Sequence, residues 1–181
     1  MKLDLSGWHS DRPIFRRLLE TVRPRVVFEL GTWKGASLVH MARTARELGL
    51  DTHFYAIDFW SPDVVIDGGG CLFDQFHFNI TESGFADRVT PLRMQTSAAA
   101  RGLFKGGISA DLIYVDADHT YEGCLRDMED YYPLLNPGGV MFGDDYTEIP
   151  SVHDAVREFC SRHKLIHSAD YYHWELSPKV L

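Results

Sequence analysis

Five short apolar runs, each followed by a stretch with helical spacing, constrain this chain more than any other feature. Residues 25–30 (Arg25-Val26-Val27-Phe28-Glu29-Leu30) read as the first strand, and Thr52 to Asp58 as the second. Arg88 to Leu92, Leu112 to Val115 and Gly139 to Gly143 read as the third, fourth and fifth. Short runs rich in β-branched residues and bounded by polar or turn residues are strand signals. Helices are expected over Ala36–Leu48, from Leu72 to about Thr81, over Ser97–Phe104 and Thr120–Tyr132, and from Ser151 to about His163. This alternation predicts a parallel sheet with helices on both faces and right-handed crossovers. Before the first strand, Ser10 or Asp11 caps a helix through Thr21 with Pro13 in its first turn. After the last helix, Leu165–Ser168 and Tyr172–Leu176 form a hairpin that adds one antiparallel strand.

At 181 residues, residues 1–181 are read as one domain with a full core. The formal net charge of −8 argues against nucleic acid as the main partner, because phosphate binding wants a basic face. No apolar run approaches the roughly 18 residues of a membrane helix, and Met1-Lys2-Leu3-Asp4-Leu5 lacks the apolar core of a signal peptide. The three cysteines, Cys71, Cys124 and Cys160, are far apart and form no CxxC pair. Free thiols in a reducing cytoplasm are the expected state. Residues 60–71, with Pro62 and Gly68-Gly69-Gly70, read as a loop.

The strand ends carry the chemistry. The fourth strand delivers Asp116, Asp118 and His119, and the fifth delivers Asp144 and Asp145. Ligands bind outside the carboxyl ends of the strands in open α/β sheets. Carboxylates gathered there repel unless a cation sits among them, so a divalent metal, a cationic substrate, or both is expected. The structural alternative is a solvated strand end, a helix cap at Asp118 and a turn at Asp144-Asp145.

The first strand ends in Glu29-Leu30-Gly31-Thr32-Trp33-Lys34-Gly35. Gly31 permits a sharp turn and close approach of a ligand, and Gly35 permits close packing where the helix starts. The pattern is not GxGxxG, so the dinucleotide fingerprint fails. Glu29 suits a cationic group such as an amino-acid ammonium, and Asp58 suits the two hydroxyls of a ribose. Lys34 reads as a solvated helix-start lysine, and Tyr121 and Tyr146 as core or rim aromatics. His9, His40, His53, His77, His153, His163, His167 and His173 show no paired metal-ligand spacing and read as structural or solvated.

The motifs Glu29 to Gly35, Asp58, Asp116 and Leu135-Asn136-Pro137-Gly138-Gly139 resemble those of class I S-adenosylmethionine-dependent methyltransferases. The match runs over about residues 25–176. The string Asp116-Ala117-Asp118-His119-Thr120-Tyr121-Glu122, with Asp144-Asp145, is similar to the metal-dependent O-methyltransferases of the macrocin and novobiocin type. The resemblance implies a Rossmann-like seven-stranded α/β fold, mostly parallel, with one antiparallel strand. It implies that Glu29, Gly31, Thr32, Gly35, Asp58, Ser97 and Asp116 bind the cofactor. Asp116, Asp144 and Asp145 would hold a divalent metal, Mg²⁺ by expectation, with His119 or Asp118 as the general base.

The reading that follows is metal-assisted O-methylation of a small hydroxylated molecule. A metal-independent methyltransferase and a non-catalytic cofactor-binding domain are the alternatives, and the missing GxGxxG disfavours a nicotinamide enzyme. Sugar-modifying relatives carry a longer N-terminal region over the acceptor, whereas residues 1–24 here offer one helix. A lid is therefore expected from residues 60–84, from a second subunit, or not at all. Trp60, Phe73, Phe76 and Phe78 give that segment an aromatic character that an aromatic acceptor or a homodimer contact would explain.

Overall fold

A computed structural model describes residues 1–66 and 69–180. Asp67, Gly68 and Leu181 lie outside the described residues, and with them the expected loop at Gly68. The helices are α1 (Pro13–Val22), α2 (Ala36–Glu47), α3 (Leu72–Glu82), α4 (Thr96–Lys105), α5 (Tyr121–Tyr131) and α6 (Pro150–His163). The strands are β1 (Val26–Leu30), β2 (His53–Asp58), β3 (Val89–Arg93), β4 (Ala110–Val115), β5 (Leu135–Gly143), β6 (His167–Ala169) and β7 (Trp174–Leu176).

The sheet order is β3-β2-β1-β4-β5-β7-β6. The first five strands are parallel, β7 runs antiparallel to β5, and β6 pairs antiparallel with β7. From β1 the chain winds outward to β2 and β3, then returns to β4 and winds the other way. The crevice between β1 and β4 is therefore the topological switch point, where such sheets bind ligands.

The period-2 alternation of the strands divides the core in two. On β4, Leu112 and Tyr114 face the layer of α1, α2 and α3, where Phe15, Leu38 and Phe76 pack. Ile113 and Val115 face the layer of α4, α5 and α6, where Leu103, Met128 and Phe159 pack. Both faces are covered, so the strand is a continuous apolar run and not an alternating one. Each fully buried side chain such as Ile113 contributes on the order of 2 kcal/mol.

Several local expectations are corrected. Neither Ser10 nor Asp11 caps α1. Arg12 occupies that position without a side-chain bond, and Pro13 starts the helix. Ser151 does not cap α6 either. Ile149 does, and the Ser151 hydroxyl donates to the carbonyl of His119 at 2.6 Å. That bond ties α6 to the loop after β4. At α5 the cap is Thr120, whose hydroxyl accepts the Gly123 N–H at 3.1 Å, so the helix starts one residue late. β5 begins at Leu135, four residues before the expected start at Gly139, because its first residues find partners. The Gly138 N–H donates to the Lys179 carbonyl at 2.7 Å, and the Lys179 N–H donates to Gly139 at 2.9 Å. The closing hairpin has shorter strands than expected. The Asp170 carboxylate accepts the Tyr172 and His173 N–H groups at 2.8 and 2.7 Å and so widens the turn.

Candidate active site

The β1–α2 loop and the end of β4 touch. Gly31 adopts φ +81°, and a Cβ built on it would lie 1.9 Å from the Asp116 carbonyl oxygen. Only glycine fits that contact and that backbone. Gly35, at φ +84°, precedes α2, and a Cβ there would meet the Phe76 ring at 3.1 Å. Asp58 fixes the next loop. Its carboxylate accepts the N–H of Trp33 at 2.8 Å and of Trp60 at 2.7 Å, while the Trp60 indole donates to the Trp33 carbonyl at 2.7 Å. Burial pushes the Asp58 carboxyl up, against the pull of these backbone donors.

Glu29 lies beneath the loop. It is fully buried, one carboxylate oxygen accepts the Ser37 hydroxyl, and the other has no partner among the described residues. Burial drives its carboxyl well above the usual range, and Asp116 and Asp58 add to the rise. Glu29 lines neither of the cavities at this edge, whereas Ser37, absent from the expected set, lines one.

Two adjoining cavities open here. The first, about 360 Å³, is walled by Asp58, Phe59, Gln95, Thr96, Asp118 and Arg126. The second, about 330 Å³, is walled by residues 6–10, Thr32, Ser37, Asp144, Asp145 and Glu148. Trp8, Gly31, Trp33, Asp116 and His119 line both. Ser97 lines neither. α4 starts at Thr96, and Gln95 and Thr96, just before Ser97, line the first cavity.

At the junction stand the acids. His119 Nε2 lies 2.9 Å from Asp145 Oδ2 and 3.3 Å from Asp116 Oδ1, and these two carboxylates, Asp116 first, push its pKa up to about 10. Burial raises the carboxyls of Asp116 and Asp144. Asp144 is 4% exposed, and among the described residues its Oδ1 has no hydrogen-bond partner, the buried His173 Nε2 lying 3.6 Å away. Asp145 holds φ +62°, uncommon for a residue with a side chain. Two overlapping groups have ligand atoms within 4.8 Å of one another: Asp116, His119 and Asp145, and His9, Asp144 and Asp145.

Asp118 is engaged elsewhere. Its Oδ1 accepts the N–H and the hydroxyl of Thr120 at 2.9 and 2.8 Å, and its Oδ2 lies 3.5 Å from Arg126. Although burial opposes it, these donors hold its carboxyl below the usual value. That weakens Asp118 as a base.

Sequence reasoning missed the N-terminal segment. His9 reads as structural or solvated, yet its Nδ1 lies 2.9 Å from Asp144 Oδ2 and its Nε2 lies 3.6 Å from Glu148. Lys34 is not a free surface lysine. It donates to Asp4 at 2.7 Å and to Ser6 at 3.2 Å. Asn79, fully buried on α3, accepts the Asp4 N–H at 3.1 Å and donates to the Lys34 carbonyl at 2.8 Å. Residues 4–10 are thus laced down across the second cavity. Among the described residues, 60–84 supply no lining residue to either cavity. No local signal marks His9, because its partners are 135 residues away.

A family model described as a methyltransferase domain matches residues 28–146, more than half of the chain. The uncharacterized protein y4gI of Sinorhizobium fredii is 28% identical over 145 residues, which cover 80% of this chain and 15% of that protein. The chain therefore spans about 15% of the length of that curated relative. Among solved structures, the O-methyltransferase from Bacillus cereus in complex with SAH superposes with a TM-score of 0.70 at 18% identity, covering 99% of this chain and 84% of that one. The O-methyltransferase TomG from Streptomyces achromogenes, solved with SAM, gives 0.68 at 17% identity, covering 97% and 83%. At these identities the structural likeness establishes the seven-stranded Rossmann-like fold, which agrees with the strand order above. No helix of the described residues is long and apolar enough to cross a membrane.

Proposed function

The chain belongs to the methyltransferase-domain family, and on that premise we propose that it moves the methyl group of S-adenosylmethionine to a hydroxyl of a small acceptor, assisted by a divalent cation. One observation carries this reading. Asp116, Asp144 and Asp145 follow the ends of adjacent strands, all line the second cavity beside the glycine loop of β1, and belong to two clusters of ligand atoms that share Asp145. The solved relatives named above are O-methyltransferases, which supports a hydroxyl as the acceptor group.

S-adenosylmethionine supplies an electrophilic methyl on a sulfonium, so the protein's task is position and electrostatics. Asp58, Gln95 and Thr96 line the cavity suited to its nucleoside, and Gly31 lets the backbone come close. A divalent cation held by Asp116, Asp144 and Asp145 would acidify a bound hydroxyl, and their all-oxygen set suits Mg²⁺. The residues present fit one, because burial raises the carboxyls of Asp116 and Asp144 and, among the described residues, Asp144 Oδ1 makes no hydrogen bond, so both gain from a positive charge beside them. His119, at the junction of the cavities, is the residue placed to take the hydroxyl proton. It can do so only once Asp116 and Asp145, which hold its own proton, are engaged otherwise. The net charge of −8 favours a small-molecule acceptor over nucleic acid, and three free thiols suit a reducing cytoplasm.

A second reading has an observation of its own. The His119 imidazolium already bridges Asp116 and Asp145, so the acids are partly neutralised without a cation. Calorimetry separates the two. S-adenosylmethionine is titrated first in EDTA and then with Mg²⁺, Mn²⁺ or Ca²⁺ and a catechol probe. Cofactor binding in both conditions, with probe binding only when the cation is present, supports the first reading. Indifference to the cation leaves the metal-independent one. Failure to bind the cofactor overturns both.

A further inference from the structure

The N-terminal segment brings an imidazole into the acid cluster. His9 Nδ1 stands 2.9 Å from Asp144 Oδ2, and His9, Asp144 and Asp145 together offer ligand atoms within 4.8 Å of one another. Adjacent ligands on an octahedral ion with bonds of about 2.1 Å are separated by about 3 Å. The His9–Asp144 spacing is of that size. The other ring nitrogen, Nε2, lies 3.6 Å from Glu148 Oε2. That is just beyond a hydrogen bond, but it puts a carboxylate on the side of the ring where the partner of a metal-binding histidine stands. Asp144 adds a second observation, since it is 4% exposed and, among the described residues, its Oδ1 makes no hydrogen bond, the buried His173 Nε2 standing 3.6 Å away, so that a bound cation would satisfy it.

The ring is also held in place. It packs on Tyr172 with centroids 4.1 Å apart, and its side chain is 16% exposed, against 45% for His119. Its backbone adopts φ +51°, which turns the chain between the anchored residues 4–6 and α1. Two further imidazoles stand near: His119 bridges Asp116 and Asp145 and is the base of the reading above, and the buried His173 lies 3.6 Å from Asp144 Oδ1 but belongs to neither group of clustered ligand atoms.

We propose that His9 is a ligand of the divalent cation, making this a mixed nitrogen–oxygen site that selects a borderline transition ion such as Mn²⁺, Co²⁺ or Zn²⁺ over Mg²⁺. Imidazole favours those ions, whereas Mg²⁺ prefers oxygen and water. The inference rests on the metal-assisted reading and changes its cation. It also gives the N-terminal segment a function. Ligation through His9 would add a further tie to the bonds of Asp4, Ser6, Lys34 and Asn79 that already hold the segment across the second cavity.

The test uses the full chain stripped with EDTA. Mn²⁺ is added, and nitrogen coupling to the ion is read by pulsed electron paramagnetic resonance. Affinities for Mn²⁺, Zn²⁺ and Mg²⁺ are read by calorimetry. Wild type is expected to show imidazole nitrogen coupling. His9→Ala is expected to lose a ¹⁴N component and to bind Mn²⁺ and Zn²⁺ about 10- to 100-fold more weakly, with Mg²⁺ affinity changed by less than about 3-fold. The difference between wild type and variant decides the matter, because almost any such site prefers Zn²⁺ to Mg²⁺. Glu148→Gln, which leaves the ligand in place, is expected to give a smaller loss in the same direction. Unfolding of the stripped proteins checks that His9→Ala folds; His9→Gln replaces it if it does not. A wild type that binds Mn²⁺ with coupling and affinity unchanged in the His9 variant overturns the inference and leaves the metal-assisted reading standing. A wild type that binds no cation overturns both.

Discussion

A Cβ added to Gly31 would lie 1.9 Å from the carbonyl oxygen of Asp116. The first strand's loop and the fourth strand's end are therefore in contact through backbone alone, at the point where both cavities open. Gly31→Ala meets both a left-handed φ and a backbone atom that cannot rotate away. We expect a loss of about 3 kcal/mol, combining the left-handed penalty with overpacking. Urea unfolding measures it, and cofactor affinity should fall with it. A variant as stable as wild type would show that the two loops are free to part.

Asn79→Ala removes the buried amide that holds residue 4 and the Lys34 carbonyl. The expected cost is about 2–3 kcal/mol, since several partners lose their bonds at once. Hydrogen exchange should rise over residues 2–10 more than anywhere else in the chain. An increase spread evenly over the sheet would mean that Asn79 serves the core and not the N-terminal segment.

Asp127 gives a pH dependence. It is buried on α5, accepts the Thr96 hydroxyl at 2.6 Å, and burial raises its pKa to about 6. A carboxyl whose folded pKa exceeds its unfolded value near 3.9 favours the folded state when protonated. That stabilisation is complete below about pH 4 and is lost as pH rises through about 6. Asp127→Asn keeps a neutral group at all pH values. Relative to the variant, wild type should lose up to about 3 kcal/mol between pH 4 and pH 8. Parallel stability profiles would place the Asp127 carboxyl at its ordinary pKa.

Asp118 and His119 are neighbours with opposite expectations. Asp118 serves Thr120 and Arg126, so Asp118→Asn should cost about 1 kcal/mol of stability and leave turnover within about 3-fold. His119→Ala should lower kcat by about 10²- to 10⁴-fold, as loss of a general base does. Steady-state kinetics of the two variants decide between them, and the reverse order would make Asp118 the base.

Asp144→Asn removes one charge from the cluster while keeping its shape. Cation-dependent turnover should fall at least about 100-fold, with cofactor affinity unchanged. Turnover equal to wild type in EDTA and in Mn²⁺ would remove the cation from the reaction.

The legible part of the fold was the part written in local pattern. Runs such as Leu112 to Val115 are apolar on both faces because helices cover both faces of the sheet, and that continuity marks a buried parallel strand. Helix ends were less legible. Ser10, Asp11 and Ser151 have the chemistry of caps, yet Pro13 and Pro150 start the helices without them. Ser151 bonds instead to His119, 32 residues away.

The site divides in the same way. Asp58, Asp116, Asp144 and Asp145 announce themselves because each terminates an apolar run, and a parallel sheet puts all such ends on one edge. His9, Lys34 and Ser37 carry no such mark, and α4 starts at Thr96, one residue before Ser97, so that Gln95 and Thr96 line the first cavity and Ser97 does not. By itself the sequence determined the parallel αβ order, the acidic edge and the glycine loop, since these follow from periodicities of a few residues. Tertiary structure alone decided that residues 4–10 cross the second cavity, that Asp118 serves Thr120 and leaves His119 at the junction, and that His9 meets Asp144. Those outcomes depend on contacts between distant segments, which no local spacing encodes.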